Sequence, residues 1–375
     1  MSNELKRGLE GVLVAESDLS HVDGEVGKLV YRGYDIEELA RGASYEEVLH
    51  LLWHGSLPTR AELEAFSDDL AAERAVDDEV LSTVRTLADA SERPMAALRT
   101  AVSMLSAYDG ESGDVLAEGA AITAKVPTIL AAFERARQGE PPVAPDPDLS
   151  HAGNFLYMLT GTEPDDVSEE TFDMALTLHA DHGLNASTFT ALVIGSTMAD
   201  VYSGVTGGIG ALSGSLHGGA NQDVMEMLRE VDDSGKDPAE WAADAREEGR
   251  RIPGFGHRVY KVKDPRANIL EEKLRDLADA SGDRKWLEYT TAIESYLTEE
   301  GLVEKGIAPN VDFYSGSVYD AMGIPMDLYT PIFAMSRVGG WVAHVHEYRE
   351  DNRLIRPRAR YTGPETAEFV PLEDR

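Results

Sequence analysis

From residue 44 onward, apolar side chains recur at intervals of three and four, and this periodicity limits the fold more than any other feature. Ser44 and Glu47 have the capping-box spacing, and Tyr45, Val48, Leu49 and Leu52 follow at i, i+3, i+4 and i+7. Thr59 and Glu62 repeat the signal before Leu63, Phe66 and Leu70. Further stripes run through Val80, Val84 and Leu87, then Met95, Leu98, Val102 and Leu105. Another follows at Ile122, Val126, Ile129 and Leu130, where Pro127 predicts a kink. Phe172, Ala175, Leu176 and His179 share one helical face; Val224, Met227, Leu228 and Val231 share another. Asp237, Pro238 and Glu240 read as an N-cap, a first-turn proline and a capping acid, and Leu270, Leu274, Leu277 and Ala278 close the series. Strand signals are confined to the start, where Val12–Ala15 and Lys28–Tyr31 flank Asp23-Gly24 as a small hairpin or irregular extended pair. The expected fold is all-α, with a short β hairpin near the N-terminus.

The 375 residues allow one large domain or two to three ordinary ones. Gly139–Pro147 is proline-rich and reads as an exposed loop, and Asp232–Asp237 as a polar turn. Thr188–Gly214 carries a single charge, Asp200, among many small residues. Such a stretch is either buried on several sides of the core or forms a homodimer interface. No uninterrupted run of about 18 apolar residues is present, which predicts no membrane span. Met1–Glu10 is polar and lacks the apolar region of a secretory signal. The absence of cysteine excludes disulfides, thiolate catalysis and cysteine-held zinc or iron–sulfur centres. A cytoplasmic location is expected.

The formal charge is −34, which disfavours binding to nucleic acid or to anionic membranes. Only 9 of the basic residues are Lys, against 25 Arg. This balance resembles proteins of salt-loving organisms, where salt screens self-repulsion; an acidic mesophilic protein is the alternative. Two short islands run against the trend. Residues 246–266 carry Arg246, Arg250, Arg251, Arg258, Lys261, Lys263 and Arg266, and residues 349–360 carry five arginines, Arg356 among them. They are either sites for small polyanions, which the arginine fork suits, or solvated, ion-paired faces.

Histidines with a chemical setting are His182 in HADHGLN, His217 in SLHGGAN and His257 in PGFGHRVY, with His179 less clearly so. Glycine beside each lets a ligand approach the backbone. Asp312, in APNVDFYSG, is the only acid between Lys305 and Tyr319. Among apolar and aromatic neighbours it would be desolvated and more basic, as a general base requires; alternatively it caps a turn through Ser315. His179/His182 and His344/His346 have spacings open to a metal, but no HExxH or carboxylate-rich motif accompanies them. No P-loop and no GxGxxG after a strand is present.

Six ordered segments resemble the citrate synthase family: HADHGLNASTF (179–189), SLHGGANQDVMEML (215–228), IPGFGHRVYKVKDPRA (252–267), KGIAPNVDFYSG (305–316), MSRVGG (335–340) and RPRARYTGP (356–364). GYDIEELA (33–40) and LLWHGSLPT (51–59) resemble its amino-terminal region, and the length and HRVYK wording its compact archaeal and Gram-positive type. The resemblance implies an almost wholly helical homodimer with a cleft between two domains. The large domain would comprise 1–217 and 313–375, and the small domain 218–312. The implied reaction joins oxaloacetate to the methyl carbon of acetyl-CoA and hydrolyses the thioester, with acetyl-CoA as substrate, no cofactor and no metal. Asp312 matches the base, His217 the donor to the thioester oxygen, and His257 the group that polarises the ketone. His182, Arg266, Arg337 and Arg356 match oxaloacetate ligands, with Arg356 reaching in from the partner subunit. Arg251, Ile252, Pro253, Gly254 and Phe255 match the segment that holds the CoA adenine; Arg258, Lys261 and Lys305 are the phosphate contacts. Two alternatives stay open: a 2-methylcitrate synthase using propionyl-CoA, and a non-catalytic dicarboxylate-binding protein.

Overall fold

The computed structural model describes residues 5–9, 11–110 and 112–375; Met1–Glu4 and Glu10 of the polar start, and Glu111, lie outside the described residues. Three short strands come first: β1 (Ser20–Asp23), β2 (Lys28–Tyr31) and β3 (Tyr34–Asp35). They form one antiparallel sheet in the order β1-β2-β3, with Ser20 opposite Tyr31 and Asp23 opposite Lys28. The turn falls where Asp23-Gly24 predicts it, but the first strand is Ser20–Asp23 rather than Val12–Ala15. The residues adjoining a tight turn pair first, and Leu13, 96% exposed, has no surface to pack on.

Ten helices follow in the first part of the chain: α1 (Ile36–Gly42), α2 (Tyr45–His54), α3 (Arg60–Ala72), α4 (Asp78–Asp89), α5 (Pro94–Asp109), α6 (Val115–Arg137), α7 (His151–Thr160), α8 (Asp166–His179), α9 (Ala186–Gly195) and α10 (Val201–Leu212). Both predicted capping boxes form. Ser44 accepts from the Glu47 amide while Glu47 caps Ser44 in return, and Thr59 and Glu62 do the same at α3. Each cap contributes about 1 kcal/mol. Helix α6 continues through Pro127 as one element. By length and composition it would span a bilayer, yet most of its apolar window is buried in the protein. Its burial therefore reflects a core position, the role open to an apolar helix enclosed by others.

A second group comprises α11 (Ala220–Ser234), α12 (Pro238–Glu247), α13 (Pro265–Ser281), α14 (Lys285–Glu299) and α15 (Asp312–Ala321). Helix α15 packs on α11, α13 and α14, and α12 packs on α14. The stripes at Val224, Met227, Leu228 and Val231, and at Leu270, Leu274, Leu277 and Ala278, are all buried here. The last helix, α16 (Tyr329–Glu350), returns through the first group and packs on α2, α6, α8, α9 and α10. Close approach explains Gly340: a Cβ there would lie 2.3 Å from the Ala180 carbonyl oxygen. Bulk at that position would separate α16 from the segment leading to His182. Beyond Glu350 the chain has no helix or strand and is exposed, Ile355 apart, up to a short 3-10 turn at Leu372–Asp374.

Helices α9 and α10 pack tightly on each other and on α16, so the Thr188–Gly214 stretch is largely core. Its outward side, including Phe189, Val193, Ile194 and Ala211, is only half-buried in the single chain.

Candidate active site

Two crossing segments assemble the site. The loop between α12 and α13 runs beside the segment entering α15: Gly256 N donates to Ala308 O (2.8 Å), Asn310 N to Gly254 O (2.9 Å) and Asp264 N to Pro309 O (3.0 Å). Phe255 and Pro309 form a β-bridge. Asn310 braces both sides, with Nδ2 donating to Gly256 O (3.0 Å) and Oδ1 accepting from the Asp312 amide (3.0 Å). This ladder holds His257 and Asp312 in one neighbourhood although 54 residues separate Gly256 from Asn310.

Asp312 is the first residue of α15, and burial pushes its carboxyl up to about 6, against the pull of Arg266 and Arg337 and with the push of Asp264 and Asp223. The turn-capping alternative fails, because the Ser315 hydroxyl is buried without a hydrogen-bond partner.

His257 Nδ1 accepts two backbone amide hydrogens, from Val259 (3.1 Å) and Tyr260 (3.2 Å). An amide can only donate, so the neutral ring carries its proton on Nε2. Burial, reinforced by Arg266 and Lys261, lowers its pKa to about 4. The His182 and His257 rings meet edge-on at 5.5 Å, and Tyr260 completes the group, its hydroxyl 3.2 Å from His182 Nε2. Burial and the charges of Arg266, His257 and Arg337 hold His182 neutral, well below the ordinary histidine range.

His217 lies on the turn between α10 and α11. Its Nε2 accepts the Ser187 amide hydrogen (3.2 Å) and lies 2.8 Å from the Ser187 hydroxyl. The proton of the neutral ring is therefore on Nδ1. Burial, with Arg337 and Arg258, lowers its pKa to about 4.

Two buried guanidiniums face this group. Arg266, in the first turn of α13, donates from Nε and Nη2 to the two oxygens of Asp264. Arg337, on α16, donates from Nε to His179 O (2.6 Å) and stacks over Phe333. Its burial brings its pKa down to about 10. The arrangement offers two neutral imidazole donors, one carboxylate poised to accept a proton near neutrality, and two cationic clamps.

Arg356 is different. It lies on the exposed C-terminal segment, and no hydrogen bond or ion pair joins it to the group within the single chain among the described residues. In the Arg251–Phe255 segment, Arg251 is exposed, Pro253 is half-buried, and Ile252 and Phe255 are buried. Gly254, at φ +78°, packs against Phe313. Arg258, Lys261 and Lys305 are exposed, and Lys261 lies beside Gly306. The remaining basic residues of the 246–266 island are paired: Arg246 with Glu300, Arg250 with Glu230, and Lys263 with Glu271 and Glu294. Three of that island's seven basic residues thus make an ion-paired face, which leaves the exposed Arg251, Arg258 and Lys261, with the buried Arg266, for anions.

His179 and His344, candidates for a metal by spacing, are engaged elsewhere. His179 Nδ1 bonds Ala175 O, and His344 Nε2 bonds Asp181. Among the described residues no three His, Asp or Glu side chains are placed to share a metal ion.

Sequence reasoning missed Ser187, Tyr260, Asp264 and Asn310. Asp264 was readable as an N-cap before Pro265, whereas Ser187, the Tyr260 hydroxyl and Asn310 Nδ2 act through contacts distant in sequence.

The family profile described as "Citrate synthase, C-terminal domain" matches residues 8–358. The chain belongs to the citrate synthase family. It is 64% identical to a citrate synthase of Haloferax volcanii over 384 aligned residues, covering all of both chains. A solved structure titled as the ternary complex of carboxymethyl-coenzyme A and oxaloacetate with the citrate synthase of Thermoplasma acidophilum superposes with a TM-score of 0.91, at 35% identity over all of both chains. A 2-methylcitrate synthase of Mycobacterium tuberculosis is 42% identical over 96% of this chain and 91% of its own. The all-α architecture expected from the sequence is thus that of the citrate synthase family.

Proposed function

We propose that the protein is an acyltransferase that condenses acetyl-CoA with oxaloacetate and water to give citrate and CoA. The carrying observation is the division of protonation states: Asp312 is held near neutrality as a base, while His217 and His257 are locked by backbone amides as neutral donors. Asp312 takes a proton from the acetyl methyl group, and His217 Nδ1–H hydrogen-bonds the thioester oxygen as charge gathers there. The enolate carbon attacks the ketone carbon of oxaloacetate, forming the carbon–carbon bond as the carbonyl electron pair passes to its oxygen. His257 Nε2–H polarises that ketone and passes its proton to the new alkoxide, and the proton taken up by Asp312 returns through water to His257 Nε2, so both groups end as they began. Water then cleaves the citryl thioester, releasing CoA as thiol and citrate as acid.

In this reading Arg266 and Arg337 bind the oxaloacetate carboxylates, with His182 as a further ligand, and Arg356 arrives from the partner of a homodimer. The half-buried side of α9 and α10 supplies apolar surface for that dimer. The Arg251–Phe255 segment takes the adenine, and Arg258, Lys261 and Lys305 the phosphates. The domains are those of the family, with 218–312 as the small domain and Asp312 at its edge. No cofactor or metal has a step. A non-catalytic binding protein would need the arginines but not Asp312 opposed to two tautomer-locked histidines.

Release of CoA thiol from acetyl-CoA and from propionyl-CoA, each with oxaloacetate, tests the reading. Acetyl-CoA should be favoured in kcat/KM, although one methylene discriminates by only about 1–3 kcal/mol. Preference for propionyl-CoA would make it a 2-methylcitrate synthase. Asp312→Asn should lower kcat by roughly 10²–10⁴ with oxaloacetate binding kept; near-normal turnover would remove Asp312 from the chemistry.

A further inference from the structure

The sheet at the start of the chain touches both halves of the site. At its base, Ser20 Oγ donates to Asp181 Oδ2 (2.5 Å) and accepts from the Gly183 amide (3.0 Å), while Tyr31 Oη donates to Asp181 O (2.8 Å). These contacts bracket His182. At its tip, the β1–β2 turn rests on the residues that follow His257. The Lys261 amide donates to Gly24 O at 2.8 Å. A Cβ on Gly24 would lie 2.1 Å from the Val259 carbonyl oxygen, and one on Gly27 would lie 2.8 Å from Val262 Cγ2 and 3.2 Å from Lys263 O. The backbone that the turn supports is the backbone whose Val259 and Tyr260 amides fix His257 Nδ1.

We infer that the β1–β2 turn is a positioning element for His257, acting through the absence of side chains at Gly24 and Gly27. The inference rests on the citrate-forming reading above. The turn presses the Val259–Lys263 backbone into the course that aims two amides at one ring nitrogen. Displacing that backbone would weaken both hydrogen bonds, freeing Nδ1 to take a proton and letting the ring turn away from the ketone. The other groups facing the ring are His182 and Tyr260 at its edge, with Arg266, Asp264 and Lys261 acting on its charge. None of these belongs to the turn, but Tyr260 and Lys261 lie on the backbone that it supports, so a variant at Gly24 reaches His257 through its two amides and through these neighbours together. Gly24 and Gly27 touch no substrate in this scheme.

The test uses the full-length enzyme with acetyl-CoA and oxaloacetate, after wild-type turnover has been established; its absence there would count against the function reading alone. Gly24→Ala should lower kcat about tenfold or more. The acid limb of its kcat–pH profile should steepen from slope one toward slope two, because His257, easier to protonate, then titrates alongside Asp312. A folded Gly24→Ala enzyme with wild-type kcat overturns the inference. So does one whose kcat falls while the acid limb keeps slope one, since that would mark a merely structural role. Gly27→Ala gives an independent arm should Gly24→Ala not fold: its φ of +68° strains an alanine, but its closest clash is with a side chain, Val262 Cγ2, rather than with backbone. It should show the same losses, and adding Val262→Ala should restore at least part of kcat and return the acid limb to slope one. Losses that Val262→Ala leaves untouched, or a Gly27→Ala enzyme without losses, overturn it equally.

Discussion

Arg266 is held by the acid two residues before it: its Nε donates to Asp264 Oδ1 at 3.0 Å and its Nη2 to Oδ2 at 2.8 Å, with both side chains buried. Asp264 also caps α13 by accepting the Arg266 amide at 3.0 Å. The acid therefore fixes the plane of the guanidinium and leaves its far edge for a substrate carboxylate, so the clamp exists before substrate arrives.

Asp264→Asn should loosen that plane while keeping one oxygen acceptor. The KM for oxaloacetate should rise about tenfold or more, with a smaller fall in kcat. The melting temperature should drop as well, because a buried cation loses its partner. Steady-state kinetics with varied oxaloacetate check this; an unchanged KM would show that Arg266 needs no such support.

The acid limb of the wild-type kcat–pH profile should follow one group, Asp312. Its carboxyl must be ionised to act, so activity falls as pH drops through about 6. His217 and His257, each near 4, stay neutral over that range and add no second ionisation. A limb of slope one above pH 5 is expected. A slope of two there would mean that a histidine protonates with Asp312 and that the tautomer locks are weaker than drawn.

With −34 per chain, repulsion between surface acids opposes the compact state at low ionic strength. Melting temperature and retained activity should therefore rise from about 0.1 M to about 2 M KCl. Scanning calorimetry across that series decides the matter, and equal stability at both ends would defeat the salt-adaptation reading without touching the enzyme assignment.

Mixed dimers examine the proposed sharing of Arg356. Arg356→Ala homodimers should bind oxaloacetate poorly, since a carboxylate left underpaired costs about 2–5 kcal/mol. Asp312→Asn homodimers should bind it without reacting. If the arginine serves the partner's site, a hybrid of the two has one intact site and one doubly defective site. It should regain up to about half of wild-type activity by two-fold symmetry. Verified hybrids with no recovery would place Arg356 in its own chain's site or in none.

Local signals were readable wherever cause and effect lie within a few residues. The capping boxes at Ser44 and Thr59, the N-cap at Asp237 and the buried stripes of α11 and α13 follow from side chains reaching three or four positions along one helix. The first strand was misplaced because Val12–Ala15 has strand-like residues, whereas pairing is decided by what the opposite strand and the packed face provide. Pro127 marks a lost backbone bond, yet α6 continues because helices on every side hold it. Six ordered motifs sufficed to nominate His182, His217, His257, Asp312, Arg266 and Arg337, and the fold gathers these around one set of charges. Arg356 stays apart from them in the single chain.

The sequence by itself determined the helical architecture, the acidic surface and which chemical groups are available, because these depend on composition and short-range periodicity. Only the tertiary structure decided what those groups are. Ser187 lies 30 residues from His217, and Asn310 lies 54 from Gly256, yet these contacts set which imidazole nitrogen carries the proton and where Asp312 sits. Burial then raises the Asp312 pKa and lowers those of the histidines. Tautomer and pKa depend on the solvent and dipoles that surround a side chain, and those neighbours are supplied by chain folding rather than by adjacency along the sequence.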